Sequence, residues 1–519
     1  MATDVGMSPA GPVDLSNCAR EPIHVPGFTQ EFGVLLAMPA GEERISQISS
    51  NTDLIFGVAP TELVGQKIST VLGETNAAAI KEVLRAGNWK ETNPLKISIE
   101  RAGAAMPLNV ILHRYDGLDF IEIEAVSKKG AETATRSYQI VQNALLRLQK
   151  SLNIPDLWET LVSEVHRITG YDRVMVYKFD RDDHGVVIAE KKREHQQPFL
   201  GLHYPASDIP DQARRLYRTN WVRYIPDSHY KPVILIPVVD EDHNRLTDMT
   251  HCILRSVSPI HCEYLHNMGV AASMSVSILR NDRLWGLIAC HNDTPRYLPY
   301  ELRAACELLG QVLSIRIAAL EETEDSAYKS KTNALQARFL SELPQYKNVA
   351  SALVSNTPNL LEFISATGAA VCFGGKVLTL GRTPSESQIQ MILRSTLARI
   401  SAPIFASDRL QDRVPEAADL MDTASGVLCF TASRAHDLHV FWFRTEQVQV
   451  VKWGGEPTKP VEFDGDALRI SPRRSFEVWK QEVRGKSNAW LQPEIEAAAE
   501  LRATLMSLLL TKTPISDPE

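Results

Sequence analysis

Apolar positions along the chain switch between a period near two and a period near 3.6, and the switching divides it into successive α+β blocks. From Gly33 to about Ala125, β-rich runs such as Gly33–Met38, Leu95–Glu100 and Phe120–Val126 surround a helical stretch, Thr75–Ala86. They predict a small α+β domain of about 100 residues. Ile140, Ala144, Leu145, Leu148 and Leu152 then share one face of a long helix. A second α+β block opens with strand Val174–Phe179 and closes with Ser275–Leu279 and Leu284–Cys290.

The stretch 300–345 carries the strongest helical pattern. Leu302, Cys306, Leu309, Leu313, Ile317 and Leu320 repeat at helical spacing, and no Gly or Pro follows between Gln311 and Glu342. A helix of about 45 residues is roughly 65 Å long, more than one domain supports. It predicts a spine between domains with its apolar stripe free for a partner helix. Two helices broken near Asp325 are the alternative. Past Pro344 a third α+β block runs to about residue 512 and ends in the helix Pro493–Leu510. Inside it Val440–Trp453 is strand-like, with Val448 and Val450 alternating with Gln447 and Gln449, and Trp453-Gly454-Gly455-Glu456-Pro457 supplies a turn. Ser475–Val483 fits both periods: Phe476, Trp479 and Val483 also fall at i, i+3, i+7 of a helix. A segment of that kind is stable in two folds separated by a few kcal/mol.

Composition narrows the class. At 519 residues the chain exceeds one core. A formal charge of −8 argues against a nucleic-acid surface. No run of eighteen apolar residues spans a membrane, and no basic start followed by an apolar stretch marks export, so a cytoplasmic protein is expected. Seven irregularly spaced cysteines fit reduced thiols. His251-Cys252, His261-Cys262 and Cys290-His291 lack the CxxC or HxxxH spacing of a metal site, so no metal is expected. No nucleophile–base pair or phosphate loop points to an enzyme.

Six local patterns remain. Cys18 lies on the polar arm 1–20 before Pro22-Ile23-His24-Val25-Pro26; Pro205-Ala206-Ser207-Asp208-Ile209-Pro210 sets a carboxylate between prolines. Ser258-Pro259-Ile260-His261 with Tyr264-Leu265, Trp285–His291, Trp453-Gly454-Gly455 and Pro472-Arg473-Arg474-Ser475-Phe476 complete the set. In this order they resemble the photosensory core of a bacterial phytochrome, and the resemblance covers nearly all of the chain.

The resemblance implies three sensor domains, PAS (23–128), GAF (129–320) and PHY (321–519), of antiparallel sheets flanked by helices and joined by spine helices. It also implies a tongue at about 441–487 and a figure-eight knot between the arm (1–22) and the loop Ile225–Leu254. It implies a biliverdin IXα chromophore tethered through a thioether to Cys18. In plant and cyanobacterial phytochromes the attachment cysteine directly precedes the motif histidine; that position is Ile260 here, and Cys262 is then a silent core thiol. Asp208 and Ile209 would lie under the pyrroles, with His261 bridging them through water and His291 bonding the D-ring carbonyl. Arg223 and Arg255 would anchor propionates, assisted by Tyr217, Ser258, Ser273 and Ser275. Tyr177, Tyr204, Tyr264 and Met175 would surround the D ring. Arg473 would pair with Asp208 and be replaced by Ser475 when the tongue refolds, with Trp453 on the tongue. A homodimer through the spine and an output module or response regulator are the implied partners; nothing resembles a kinase in this chain. A bilin-free small-molecule sensor and a plain dimerisation module are the alternatives.

Overall fold

The computed structural model describes residues 7–8, 11–12, 21–126, 128–180, 182–240, 245–342, 349–355, 358–399, 402–433, 437–457 and 475–511. Cys18 and Arg473 lie outside the described residues. The chain divides into two compact units, Met1–Ala318 with Lys452–Trp479, and Ala319–Val451 with Lys480–Glu519.

The first unit holds two large sheets, besides two two-stranded ones, among the described residues. One is seven-stranded, and Val34–Pro39, Gln47–Ser49, Leu95–Arg101, Ala104–Tyr115 and Leu118–Ala125 supply most of it. Val34, Leu36, Val110, Leu112, Ile121 and Ile123 pack on one face with Ile80 and Leu84 of the helix Glu74–Ala86. That helix stops at Gly87, whose φ of 70° is the left-handed C-terminal cap glycine adopts readily. On the other face Leu35, Ala37 and Phe120 meet Leu235, Met249, Cys252 and Leu254, residues from a distant loop.

That loop also completes the sheet. Val233–Ile236 pairs with Phe28–Thr29 and with Gln47–Ser49. Gln30 N–H donates to Leu254 O (2.7 Å), Met249 N–H to His24 O (2.8 Å) and Leu235 N–H to Gly27 O (3.1 Å). Segment 24–30 is thereby held on both sides by segment 233–256, an arrangement that fits the expected knot and satisfies backbone groups that burial would otherwise strand.

The second sheet of this unit carries the candidate site. Its strands are β1 (Arg173–Phe179), β2 (Gly185–Lys192), β3 (Leu202–Tyr204), β4 (Val222–Ile225), β5 (Ala272–Arg280) and β6 (Arg283–Asn292). Their spatial order is β4-β5-β6-β1-β2-β3, and beyond β3 its partners are Lys452 and Trp453 of β7 (Gln449–Gly454). The dual-period segment is a strand over its last six residues, Val478–Val483.

The spine forms as one helix of 43 residues, Tyr300–Glu342. Its stripe does not stay free. Leu302, Cys306, Leu309, Leu313 and Ile317 are buried within the chain, and Gly310 lets the helix approach Val276 closely. Leu308, Ile315 and Leu340 of this helix are exposed instead. A second correction concerns Leu152. The preceding helix ends at Gln149 and Asn153 caps the next by accepting the Asp156 N–H, so Leu152 falls between helices and is 87% exposed.

In the second unit a five-stranded sheet is ordered Lys376–Gly381, Gly368–Phe373, Leu438–Arg444, Gly426–Ser433, Ile404–Ser407. Along Leu438–Arg444, Val440 and Trp442 enter one core with Leu501 and Leu505, while Phe441 and Phe443 enter the other with Ile389 and Ile392. This is period-two alternation of a strand buried on both faces.

A buried ion pair joins the two sheets' surroundings in the first unit. Arg303 of the spine helix donates to Glu124, which also accepts from Tyr297 Oη (3.0 Å). Breaking a buried pair from one side costs about 3–5 kcal/mol, whereas apolar replacement of both partners is often neutral. Urea unfolding should therefore show Arg303→Met destabilised by that amount, and Glu124→Leu combined with Arg303→Met less so.

Candidate functional site

Strand register fixes the site. Arg223 on β4 pairs with Ser275 on β5, Ser275 with Ala289 on β6, and Ala289 with Met175 on β1. One step along, Ser273 pairs with His291 and His291 with Arg173; on the other side Ser277 pairs with Leu287 and Leu287 with Tyr177. Side chains two apart on a strand share a face, so all of these point to one side of the sheet. The intervening residues Val174, Val176, Met274, Val276, Ile288 and Cys290 are wholly buried on the opposite face. Arg223 on the edge strand β4, and Ser275, Ala289 and His291 on inner strands, keep part of their surface open. This polar, partly accessible face is the candidate wall of a cavity.

Three local elements roof it. The helix Pro259–Asn267 brings His261 and Tyr264, one turn apart, over the sheet with Ser258 at its N-terminus. The turn 205–210 forms a single 3-10 turn, Ala206–Asp208, braced by Asp208 N–H donating to Pro205 O (3.0 Å). The helix Asp211–Thr219 follows, with Tyr217 packed in the same apolar cluster as Met175, Tyr177, Tyr204, Ile209 and Phe476. Tyr264 Oη donates to Asp208 Oδ2 at 3.0 Å, and its ring meets Phe476 edge-on at 5.3 Å. Tyr177 and Tyr204 lie 5.9 Å apart. Trp453 pairs with His203 in parallel register and is buried, and a Cβ on Gly454 would come within 2.6 Å of the Tyr204 ring.

The remaining predicted residues are distributed less simply. Ser258 Oγ donates to Glu21 Oε2 (2.6 Å). Arg255 is turned into the loop: its Nη1 donates to the carbonyls of Met249 (3.3 Å) and Thr250 (3.2 Å). Ser475 is exposed, and its Oγ accepts the Glu477 N–H at 3.5 Å.

Two further residues hold the turn, and neither stands out in the sequence. Arg214 Nη1 donates to Ile209 O (2.8 Å) while its Nη2 meets Asp183 (3.2 Å). His184 Nδ1 accepts the Ala206 N–H (3.1 Å), and its ring stands edge-on to Trp453. The polar helix after Pro210 was the available signal for Arg214; none existed for His184.

The electrostatics are those of a site prepared for an anionic, hydrogen-bonding guest. Among the described residues, Arg223 Nη1, Arg255 Nη2 and His291 Nδ1 are buried without a hydrogen-bond partner. Burial lowers the Arg223 guanidinium from its ordinary value. Burial, then Arg223, pushes His261 down to about 4; burial, then Arg173 and His261, pushes His291 down to about 3. Buried donors lacking acceptors are costly unless a guest completes them. A carboxylate suits the guanidinium fork, and a carbonyl or pyrrole suits the imidazoles. The residues present thus fit a tetrapyrrole with propionates.

One His/Cys/Glu trio among the described residues is close enough to hold a metal: His113, Glu122 and Cys252. Cys252 Sγ faces His113 Nε2 (3.5 Å) while Glu122 faces His113 Nδ1 (3.8 Å). The two contacts use opposite nitrogens of one ring, and one ligand atom from each residue lies within 4.8 Å of the others. Glu122 also accepts the N–H groups of Ile253 and Leu254 and so ties the loop to the sheet.

The two pocket histidines carry a pH signature. An unfolded histidine binds a proton near pH 6.5, but His261 and His291 in the fold bind one only near pH 4 and pH 3. Their contribution is present above the unfolded value and is lost as pH falls toward the folded ones. Pigment-free protein should lose up to about 1.4 kcal/mol per pH unit per histidine below about pH 6. His291→Gln should flatten that slope in urea midpoints taken from pH 8 to pH 4.

Comparison with known proteins accounts for this geometry. Residues 18–126 match the PAS fold, 153–319 the GAF domain and 332–514 the phytochrome region. Cyanobacterial phytochrome B of Nostoc sp. is 42% identical over 96% of this chain and 67% of its own length. The bacteriophytochrome of Pseudomonas aeruginosa is 34% identical over 97% of this chain and 68% of its own. The chain thus spans about two thirds of the length of these relatives. Among solved structures, the photosensory core module of Stigmatella aurantiaca phytochrome superposes with a TM-score of 0.85 at 39% identity, covering 97% of this chain and all of that one. A bacteriophytochrome of R. palustris superposes with a TM-score of 0.88 at 38% identity, covering 96% and all of that chain. With its three domain types in one order and 96–97% of its length shared with these proteins, the chain belongs to the phytochrome family.

Proposed function

We propose that this chain is a red/far-red light-sensing core that holds biliverdin IXα on the polar face of the second sheet. The observation that carries the reading is that face itself, with Arg223 Nη1 and His291 Nδ1 buried and lacking protein partners among the described residues. The pigment, when bound, supplies the photochemistry, isomerisation at its D ring.

Each residue then has a bounded task. Arg223 binds a propionate, with Ser273 and Ser275 alongside; Arg255 is a second anchor, its open Nη2 being the available donor. His261 and His291, held neutral by burial, serve as donor or acceptor at the pyrroles and the D-ring carbonyl. Ile209, Tyr177, Tyr204, Tyr264 and Met175 exclude water and shape the ring's space. Tyr264 and the Asp208 carboxylate respond together because they are hydrogen-bonded.

Attachment is assigned to Cys18. Glu21 is fixed on Ser258, and three residues of chain reach no further than about 11 Å from it. Cys262, by contrast, has its thiol pushed up to about 12 by burial, with Glu21 adding to the effect, which makes it a poor nucleophile. Biliverdin incubation followed by a denaturing gel should give a zinc-fluorescent band that Cys18→Ser abolishes and Cys262→Ser retains. The reverse pattern moves the attachment point, and colourless protein overturns the reading.

The signalling step is assigned to the tongue. Arg473 pairs with Asp208 in one state and Ser475 takes its place in the other. Breaking a fully buried ion pair costs about 3–5 kcal/mol, and moving an equilibrium from 1:99 to 99:1 needs about 5.5 kcal/mol; Asp208 is half-buried, so this contact supplies part of a switch. The strand Val478–Val483 is one of the two folds its pattern allows. Difference infrared spectra of the two illuminated states should show strand amide intensity exchanged for helix, and identical amide bands would remove the tongue from the mechanism.

The arm 1–22, the limits 23–128, 129–320 and 321–519, a homodimer along the spine, cytoplasmic location and an output kinase or response regulator outside this sequence belong to the same reading. No helix among the described residues is long and apolar enough to cross a membrane.

A further inference from the structure

Beside His291, on the cavity face, sits a cation that the pigment-binding reading does not use. Arg173 is in register with His291 and is buried. Its guanidinium serves three partners at once. It ion-pairs with buried Glu190, donates from Nη2 to Gln197 O (2.7 Å) and lies flat on the Phe199 ring, 3.7 Å from its centroid. Glu190 in turn accepts the N–H groups of Phe199 (3.0 Å) and Leu200 (3.2 Å). The Phe199 ring then stands edge-on to Tyr204 at 6.4 Å.

These contacts pin one exposed loop, residues 193–201, across the end of the sheet. At its near end Arg193 pairs with Asp172 (2.6 Å). Gln196 Nε2 donates to Asp293 (3.0 Å), two residues past His291. At its far end Leu202 N–H closes on Phe199 O (2.9 Å). The loop is solvent-facing apart from half-buried Gln196 and Phe199, so Phe199 is its plug. Only an arginine offers a planar fork and a stacking face together.

We propose that Arg173 is a positioning residue: by holding Gln197 and Phe199 down at the end of the sheet where His291 lies, it closes that end of the cavity to water, so that the imidazole meets the pigment and not solvent. The inference rests on the bilin reading for its second half and on protein geometry alone for its first. The charged and titratable groups acting on His291 are Arg173 from β1 and His261 from the roof helix.

The test uses Arg173→Lys, which keeps the charge and loses the fork and stack, and Phe199→Leu, which leaves every charge in place. In pigment-free protein, amide hydrogen exchange at Phe199 and Leu200 should quicken about ten-fold or more in both variants, while β5 keeps the parent's protection. After biliverdin uptake, the ratio of excited-state lifetimes in D2O and H2O should rise above the parent's in both. Unchanged exchange at the two amides overturns the closure, whatever the pigment does. Faster exchange with an unaltered lifetime ratio in coloured Phe199→Leu overturns the link to the pigment. A parent that never colours overturns the bilin reading, and the link to the pigment with it, and leaves the exchange result to decide the closure.

Discussion

In-register pairing of four antiparallel strands is the constraint from which the site follows. Because Arg223, Ser275, Ala289 and Met175 are mutual partners, their side chains cannot choose faces independently. A one-residue slip of β5 would send Ser273 and Ser275 into the apolar layer and Met274 and Val276 into the cavity. The apolar layer resists that slip: Val174, Val276, Ile288 and Cys290 have no exposed surface, and Gly310 of the spine helix sits directly on Val276. The core on one side of the sheet thus holds the chemistry on the other in place.

Buried charge is handled in two ways in the first unit. Arg303 with Glu124 and Arg173 with Glu190 are complete within the protein and act as fixed struts. Arg223 is left with an open donor and its neighbours His261 and His291 are kept neutral. A protein that carried only struts would be more stable and would have nothing to offer a guest. Leaving Arg223 open costs stability that a carboxylate can restore.

Much of the architecture was legible in the chain because period-two and period-3.6 patterns report which face a residue buries. Val174–Phe179, Leu284–Cys290 and the spine helix were readable on that basis. The pattern does not say what covers a face. The stripe of Leu302 to Ile317 therefore looked available, yet it is buried within the chain. Leu152 fitted a helical spacing by coincidence, one turn after the helix had ended. The site residues were legible only as motifs. Local chemistry alone gives no reason to separate Arg223 from Arg214, yet one faces the cavity and the other staples the turn. His184, Arg173 and Phe199 act through contacts between segments far apart in sequence, which no local pattern encodes.

The two units are joined by covalent chain at three points, Ala318 to Ala319, Val451 to Lys452 and Trp479 to Lys480. The first junction lies inside a continuous helix, which has a fixed rise; the other two lie inside the strands Gln449–Gly454 and Val478–Val483. A residue spans about 3.3 Å in a strand and 1.5 Å in a helix. If the six residues Val478–Val483 exchanged one geometry for the other, their tether would shorten by about 11 Å. A change of that size falls on extended chain, whereas the helix through Ala318 and Ala319 keeps its rise of about 1.5 Å per residue.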